Sequence, residues 1–532
     1  MDCISTRLPY RQAGVFSKIA TDYIDQVEAI RPFFHYSPTI NGIRQSIEAR
    51  KKYPTNRKVL VETLKTQYGD LLKGKLAENI DALLSPDTFT ITTAHQPNIF
   101  TGPLYFIYKI LHTIKLAAHL QSSLPQYRFV PVYYMGSEDA DLEELNHIYI
   151  EDEKLVWQTR QTGAVGRMIV DAGLLKLIDI AEGQLAVLPA GKEIVGLIRK
   201  FFVKGVSIQV ATFQMVNALF EEFGLVILIP DSADLKKLAA AVFEDDLLHQ
   251  HPSGLVSKTA EKIQSAGYKV QAHPRDINLF YLEKGIRERI VKEGNKYKVH
   301  SAALEFSEKE LLDELREHPE RFSPNVILRG MFQEMILPNI VFIGGGGEIA
   351  YWLQYGEMFN RYHVPYPVLV LRNSFLIVEK SWQQRISKLG FTIEDFFLPE
   401  QELLKKLVDK ETKHAIKLNG SLSQVEQLYE SFRKQASAVD ITLSKHVVAL
   451  KEKAVYRLQE LEKKMLRAEK RKFSDQQRQI SAIRAKLFPQ NGLQERHDNM
   501  LYYYAKWGKE FIQMLFEHSL GLEQEFTVVS CK

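Results

Sequence analysis

The chain has 532 residues, of which 45% are hydrophobic and 25% are charged, and its formal net charge is +4. These proportions are ordinary for a soluble globular protein, and they exclude a disordered, collagenous or disulfide-rich chain. The length suggests about three domains, or one large domain with appendages.

The two cysteines, Cys3 and Cys531, stand at opposite ends of the chain. They cannot form a disulfide framework and no Cys-x-x-Cys pair is present, so we expect two incidental thiols and a reducing compartment. The start of the chain lacks the apolar stretch of a signal peptide. Apolar runs such as 225–229 and 367–371 are far shorter than the roughly 18 residues that suggest a membrane span. We therefore expect a cytoplasmic protein.

Positive charge is concentrated near the C-terminus, where residues 441–490 contain 13 Lys and Arg against 5 Asp and Glu. A basic helical segment can bind nucleic acid or another anionic partner. A solvated helix face is the other interpretation. No helix-turn-helix, zinc-finger or RNA-binding signature accompanies the segment.

From about residue 89 to 375, strand-like apolar runs alternate with helical patterns. This alternation predicts parallel βαβ units in a doubly wound α/β sheet. In such sheets, ligands bind beyond the carboxyl ends of the strands. The predicted strands lie at about 88–94, 129–135, 225–230, 340–343 and 367–371.

Two further regions depart from this alternation. An irregular insertion at about 265–320 contains a predicted hairpin with Glu293-Gly294-Asn295 as its turn; an antiparallel extension of the sheet is the alternative. We therefore predict a core over 1–375 and a helical C-terminal domain over 376–532.

Within the helical domain, apolar or small residues recur at steps of three and four from Leu443 to Ala468. This near-heptad spacing predicts a coiled coil at about 440–472, antiparallel or dimeric. An amphipathic helix packed on its own domain is the alternative.

The first candidate ligand-binding turn follows the first strand of the predicted sheet. His95 ends this strand, where its imidazole could face the ligand crevice. Thr101 is suited to cap the next helix and Gly102 to permit close approach, so that free N–H groups would favour a phosphate or carboxylate. A capped turn with an incidental histidine is the alternative. The candidates are His95, Gln96, Thr101, Gly102 and Lys109.

The second candidate is an acidic segment, 136–147, after the next strand. Its five carboxylates and one histidine could hold a cation, bind an amine or transfer a proton. A solvated helix start is the alternative, and because the spacing matches no zinc or EF-hand pattern, a bound metal stays open. The candidates are Glu138, Asp139, Asp141 and His147.

The third candidate is a run of four glycines before an aromatic-rich helix. Its N–H groups could form an anion nest. Gly345, Gly347 and Ala350 satisfy G-x-G-x-x-A, but no acidic residue ends the following strand, so the run is only a weak signal for a dinucleotide site. Because no Gly-Lys-Ser/Thr is present, it is not a Walker loop. A glycine turn without a ligand is the alternative. The candidates are Gly344, Gly345, Gly346, Gly347, Glu348, Tyr351 and Trp352.

The fourth candidate set is Asn325 with Arg329 and Arg372, which flank the glycine strand in sequence. A guanidinium group can bind a carboxylate or phosphate with two hydrogen bonds. Pairing with a structural acid is the alternative. Arg287 and Arg289, in the predicted hairpin, are weaker candidates.

Six motifs occur together in this order along nearly the whole chain. They are T-x-x-Q-x-x-x-F-T-G-P-L-Y, G-S-E-D-x-D-x-E-E-L-N-H, N-L-F-Y, S-P-N-V-x-L-R with Q-E-M-I-L-P-N, G-G-G-G-E-I-A-Y-W and L-F-P-x-x-x-L-Q-E-R. The set resembles the cysteine-adding enzymes of bacillithiol biosynthesis, the BshC family of cysteine ligases.

The resemblance implies a Rossmann-like core related to nucleotidyltransferases, with connecting insertions, and a C-terminal coiled coil often used for dimerisation. The implied reaction joins L-cysteine to the amino group of glucosaminyl-malate, the last step of bacillithiol biosynthesis. ATP with Mg²⁺ is a candidate cosubstrate, although no motif establishes it. The partners expected are these two substrates and a second copy of the chain, without membrane or nucleic acid.

Amide formation requires an activated carboxylate and a base for the amine. On this hypothesis the turn at 95–102 and the glycine run hold phosphate or carboxylate. Glu138, Asp139 or Asp141 binds the amine or acts as the base, with His95 as a further catalytic candidate. A non-catalytic dimeric scaffold that binds nucleotide or nucleic acid, and a nucleotidyltransferase, are the alternatives.

Overall fold

The computed structural model describes residues 2–411 and 418–531. The chain divides into two compact units. The first comprises residues 1–377 and 492–532, and the second comprises residues 378–491.

The described residues form sixteen strands, in several small sheets and one larger one. They are β1 (Cys3–Pro9), β2 (Thr88–His95), β3 (Arg128–Met135), β4 (His147–Ile150), β5 (Glu153–Val156), β6 (Val226–Leu228), β7 (Leu279–Glu283), β8 (Ile286–Arg289), β9 (Val291–Glu293), β10 (Lys296–Val299), β11 (Leu304–Ser307), β12 (Phe322–Pro324), β13 (Asn339–Gly344), β14 (Val368–Leu371), β15 (Phe375–Glu379) and β16 (Glu525–Cys531).

The described part of the chain also contains twenty-four α-helices. They are α1 (Tyr10–Ala13), α2 (Lys18–Ile24), α3 (Ile40–Lys51), α4 (Arg57–Tyr68), α5 (Gly74–Ala82), α6 (Tyr105–Ser123), α7 (Leu142–Leu145), α8 (Ala172–Leu185), α9 (Gly191–Phe201), α10 (Ile208–Phe220), α11 (Ala233–Lys237), α12 (Ala240–His249), α13 (His251–Ser265), α14 (Glu308–Glu317), α15 (Val326–Ile336), α16 (Gly346–Trp352), α17 (Gly356–Tyr362), α18 (Lys380–Lys388), α19 (Glu400–Glu411), α20 (Asn419–Val439), α21 (Leu443–Lys472), α22 (Ser474–Leu487), α23 (Met500–Trp507) and α24 (Lys509–His518).

The central sheet has five parallel strands in the order β14-β13-β2-β3-β6. In this register Thr93 lies between Ile343 of β13 and Tyr133 of β3. The chain runs outward from β2 through β3 to β6 and then returns to the other side of β2 with β13. The predicted Rossmann-like, doubly wound α/β core is confirmed, and the reversal of strand order at β2 creates the crevice in which such folds bind ligands.

Apolar packing holds the helices against this sheet. Phe89 and Ile91 of β2 share one buried cluster with Leu116 and Leu120 of α6 and with Val341 of β13. Because helices cover the parallel sheet, its strands carry near-continuous apolar runs. These runs are the signal by which the sequence predicted the strands.

A second, three-stranded sheet has the order β1-β16-β15 and joins the two ends of the chain. Cys3 pairs with Cys531 in the antiparallel register of β1 and β16, and the two form a disulfide. The prediction of two incidental thiols was therefore wrong, since residues 528 positions apart in sequence become direct neighbours. The region after about 376, predicted as almost purely helical, also contains the strand β16.

The region predicted as an irregular insertion contains short antiparallel strands. β7 pairs with β8 and β12, and β10 pairs with β9 and β11. The predicted hairpin is confirmed, because Glu293 pairs with Lys296 across a turn formed by Gly294 and Asn295.

In the second unit, the long helices α20 and α21 lie antiparallel. The connection between them is only three residues long, and the backbone N–H of Leu418 donates to the carboxylate of Glu462 at 3.0 Å. Leu443, Leu450 and Leu461 of the predicted seam each remain at least 40% exposed. The predicted seam therefore keeps a partly exposed apolar edge on α21.

Among residues 2–411 and 418–531, no helix combines the length and the apolar character needed to cross a membrane.

Candidate functional site

A cavity of about 620 Å³ lies in the first unit, where the carboxyl ends of the central strands meet. Its wall includes residues at or just after the ends of β2, β3, β13 and β14, together with residues of the antiparallel segment. The lining residues are Ala94, His95, Gln96, Tyr105, Lys109, Gly136, Asp139, Gln271, His273, Arg275, Ile277, Leu279, Phe280, Arg287, Arg289, Asn325, Val326, Arg329, Gly345, Gly347, Glu348, Tyr351, Arg372 and Arg496.

Positive charge dominates this wall. Seven lysine and arginine side chains line the cavity, against the two carboxylates of Asp139 and Glu348. Both carboxylates are already paired with a cation of the wall. A concave surface with such an excess of cations attracts anionic ligands.

His95 places a neutral imidazole at the carboxyl end of β2. Burial, reinforced by the nearby charges of Lys109 and Arg372, holds the pKa of His95 well below its ordinary value. Its Nε2 atom is buried and has no hydrogen-bond partner among the described residues. The ring packs near Tyr105 and Phe106, with centroids 5.2 and 5.4 Å away. His95 thus lines the cavity with a buried ring nitrogen whose hydrogen-bonding capacity is unused.

Asp139 is held by a two-point ion pair. The guanidinium of Arg329 donates to both carboxylate oxygens, and Arg287 lies 3.7 Å from one of them. Burial raises the pKa of Asp139, but the charge and hydrogen bonds of Arg329 outweigh burial and keep this pKa below its ordinary value. Asp139 is therefore an ionised partner that anchors Arg329.

Lys109 projects from α6 to the end of the central sheet. Its ammonium donates to the backbone carbonyl of Ala94 at 2.9 Å and pairs with Glu348. Burial lowers the pKa of Lys109, and the Glu348 carboxylate opposes that shift. Lys109 thus presents a buried cation beside His95.

Arg372 follows β14 and is fixed by a carboxylate from the far end of the sequence. It donates to Glu495 at 2.7 Å and to the hydroxyl of Ser374 at 3.1 Å. Its guanidinium lies 5.2 Å from the ring centroid of Tyr105. The sequence left open whether Arg372 binds a ligand or pairs with a structural acid. In the structure it pairs with Glu495 and also lines the cavity, where a ligand could reach it.

The glycine run does not form the predicted anion nest. None of its four glycines has a positive φ, and the N–H of Gly345 is taken by the Glu348 carboxylate at 2.7 Å. Gly345 and Gly347 line the cavity, whereas Gly344 and Gly346 do not. A side chain at Gly344 would lie 2.8 Å from Phe342, so close packing explains this glycine.

The turn after β2 also differs from its prediction. Helix α6 begins at Tyr105 with Leu104 as its N-cap, so Thr101 does not cap it. Thr101 is buried with a φ of 72°, and neither Thr101 nor Gly102 lines the cavity. Gly102 has a φ of 61°, and a Cβ there would lie 2.7 Å from that of Asn98. The turn therefore supports the site from outside its lining.

Three of the four candidate residues in the acidic segment lie outside the cavity lining. Glu138 is buried against Lys236, whose ammonium also contacts Asp231 at 3.3 Å. Asp141 is exposed at the start of α7, and the Nδ1 atom of His147 contacts the backbone carbonyl of Glu143 at 3.0 Å. Of the four candidates in this segment, the structure brings only Asp139 to the cavity.

Of the remaining candidates, some line the cavity and one belongs to the hydrophobic core. Gln96, Asn325 and Tyr351 line the cavity. Asn325 also caps α15, accepting from the N–H of Ile327 at 2.8 Å. Trp352 is buried in an aromatic cluster with its ring centroid 4.6 Å from that of Phe342, so it belongs to the core.

No group of three or more His, Cys, Asp or Glu side chains suited to a metal ion occurs within residues 2–411 and 418–531. Both carboxylates of the cavity are engaged by cations.

Comparison with known proteins covers both units of the chain. Residues 1–373 match the family model described as the N-terminal Rossmann-like domain of bacillithiol biosynthesis BshC. Residues 375–531 match the model of its C-terminal coiled-coil domain. The chain belongs to the BshC family.

Full-length relatives agree with this membership. A Flavobacterium johnsoniae protein named "Putative cysteine ligase BshC" is 36% identical, with 99% of each chain covered. A Cytophaga hutchinsonii protein of the same name is 38% identical with 91% of each chain covered, and one from Salinibacter ruber is 30% identical with 97% of this chain and 96% of the relative covered.

The sequence analysis did not identify some of the residues that line this BshC-family cavity, and it ranked others low. Arg275 and His273 come from an irregular segment without periodicity, where no local pattern predicts an inward position. Arg496 belongs to the L-Q-E-R motif. The motif was recognised in the sequence, but nothing in the sequence predicted that it contacts the core. Arg287 and Arg289 were weak candidates, and both line the cavity.

We predict that Asp139 stabilises this BshC-family protein in its ionised form. Its folded pKa lies below the ordinary value, so the stabilisation is fully present above the unfolded carboxyl pKa of about 3.9 and is lost only as pH falls through the lower folded value. Asp139→Asn should therefore lower the melting temperature by an amount that stays constant from about pH 7.5 to 5. Thermal unfolding of both proteins across this range tests it. A difference that disappears by pH 5 contradicts the assignment.

Proposed function

We propose that this chain is a cysteine ligase that joins L-cysteine to the amino group of glucosaminyl-malate, completing bacillithiol. The observation that carries the proposal is the strongly cationic cavity at the carboxyl edge of the sheet. Support also comes from family membership and from relatives whose names describe a cysteine ligase.

The charge of the cavity suits the proposed substrates. Glucosaminyl-malate carries two carboxylates, and cysteine carries one. Guanidinium groups bind carboxylates through paired hydrogen bonds, and Arg329 and Arg372 are held in place by Asp139 and Glu495. The cationic wall would orient the malate end of one substrate while its amine approaches the carboxyl carbon of the other.

ATP with Mg²⁺ is the proposed source of activation. A free carboxylate and an amine exchange a proton instead of forming an amide, so the cysteine carboxyl needs a leaving group such as an adenylate. Lys109 and Arg372 lie beside His95 and have the charge to hold phosphate oxygens. The nucleotide would bring the metal, because the cavity offers no unpaired carboxylate to bind one.

His95 is the proposed general base. Attack of the amine nitrogen on the activated carboxyl carbon forms the C–N bond, expels the leaving group and releases one proton. The Nε2 atom of the neutral His95 imidazole has no partner among the described residues and is the proposed acceptor of that proton. Asp139 is engaged by Arg329, while Glu138 and Asp141 do not line the cavity.

Reconstitution tests the activity. Purified protein is incubated with glucosaminyl-malate, L-cysteine, ATP and Mg²⁺, and the mass of the sugar conjugate is followed, with ATP omitted in parallel. We expect the cysteinyl conjugate only when ATP is present. Conjugate without ATP would contradict nucleotide activation. The absence of conjugate from folded protein in both mixtures would favour a non-catalytic scaffold.

Two variants separate the candidate bases. We predict that His95→Gln lowers the turnover number by roughly 10²-fold or more, as expected for loss of a general base. Asp141→Asn, which changes an exposed residue outside the lining, should stay within about 2-fold of the native protein. Steady-state kinetics of both folded variants measure this. The reverse pattern would assign the proton transfer to Asp141.

We also propose that the chain forms a homodimer through α20 and α21, whose apolar edge is partly exposed. Leu450 and Leu461 are 40% and 47% exposed, an arrangement suited to a second copy. We predict that the double variant Leu450→Glu, Leu461→Glu halves the mass measured by light scattering after size exclusion. Gln459→Glu, which adds one negative charge at an exposed position of the same helix, is the control. An unchanged mass in the double variant would place any dimer contact elsewhere.

A further inference from the structure

The segment Gln494–Asn499 (the return segment) brings a late part of the chain to the cavity. Gln494 exchanges two hydrogen bonds with the backbone of Ile377, at 3.0 and 3.2 Å. Glu495 accepts from Arg372 at 2.7 Å and is fully buried. The first two residues of the return segment are therefore fixed by buried polar contacts.

The other end of the return segment is fixed as well. Asp498 accepts from the hydroxyl of Tyr503 at 2.6 Å. The side-chain amide of Asn499 donates to the backbone carbonyls of Phe100 and Gly102, in the turn after β2. With buried anchors on both sides, the backbone at Arg496 has little freedom.

The backbone of Arg496 is held in this frame, and its solvent-exposed side chain lines the cavity. Burial lowers the pKa of Lys109, Glu348 opposes that shift, and the charges of Arg372 and then Arg496 lower the pKa further, which places Arg496 and Lys109 within electrostatic reach of each other. Within residues 2–411 and 418–531, no hydrogen bond or ion pair of its guanidinium is found. By contrast, Arg329, Arg372 and Lys109 each have a carboxylate partner.

An unpaired guanidinium added to an already cationic wall is repelled by its neighbours. Such an arrangement is favourable when an anionic ligand supplies the missing charge, because charge-assisted hydrogen bonds are the strong ones. Arg275 and Arg289 also have no carboxylate partner in the described structure, and buried Gln354 and Asn278 anchor the chain on both sides of Arg275 as well. Arg496 differs from both in that its charge acts on Lys109, the buried cation beside His95.

We propose that Arg496 is a ligand-binding residue that receives a carboxylate or phosphate group of a substrate. The proposal rests on the proposed function of the cavity. It adds to the site a residue that follows the second unit, residues 378–491, in sequence. The two sources of such an anion are the malate portion of the sugar substrate and the phosphates of a nucleotide.

Calorimetric titration of the full-length protein with L-malate and, separately, with inorganic pyrophosphate tests the proposal without requiring catalysis. Arg496→Gln should weaken binding of at least one probe by roughly 10- to 100-fold, the usual effect of removing a charged hydrogen-bond partner. Arg496→Lys, which keeps the charge, should lose less. Arg199→Gln is the matched control, because it removes the same charge from a surface ion pair with Asp179.

A loss confined to malate assigns Arg496 to the substrate carboxylates, and a loss confined to pyrophosphate assigns it to the nucleotide. Native affinity of Arg496→Gln for both probes, or no binding of either probe by the native protein, overturns the proposal. Native protein that binds a probe through Arg496 but forms no conjugate in the ligation assay would refute the proposed function alone.

Discussion

The ion pair between Arg372 and Glu495 is the interaction on which the candidate site depends. Both side chains are almost completely buried, and the Glu495 carboxylate also accepts from the hydroxyl of Ser374 and the N–H of Phe375. Removing one member of such a pair leaves a buried charge without compensation, which is among the costliest changes in a protein interior. The pair joins the end of β14 to the return segment, and thereby aligns Arg372 and Arg496 on one cavity.

The same principle explains how so many cations can share one wall. Asp139 neutralises Arg329, Glu348 neutralises Lys109, and Glu495 neutralises Arg372. Each pair fixes a cation without removing all of its capacity to donate hydrogen bonds, because guanidinium and ammonium groups have several donors. The acids near the cavity thus act largely as supports, and His95 is left as the neutral group in a charged site.

The sequence predicted the parallel core well and the site only in part. Near-continuous apolar runs identified the strands, and strand-end positions identified His95, Gln96, Asp139 and Arg372, all of which line the cavity. The same reasoning could not separate Asp139 from Asp141, two positions apart. One points to the cavity wall and the other lies exposed at the start of a short helix, and that distinction depends on backbone geometry after the strand.

By itself, the sequence determined the alternating α/β pattern, the helical segment with heptad spacing and the set of motifs shared with one family. These features are local, because periodicity and short motifs depend on neighbouring residues. The tertiary structure alone decided that Cys3 meets Cys531, that Glu348 occupies the N–H of Gly345 and that Arg496 reaches the cavity. Those outcomes depend on contacts between distant segments, which no local pattern encodes.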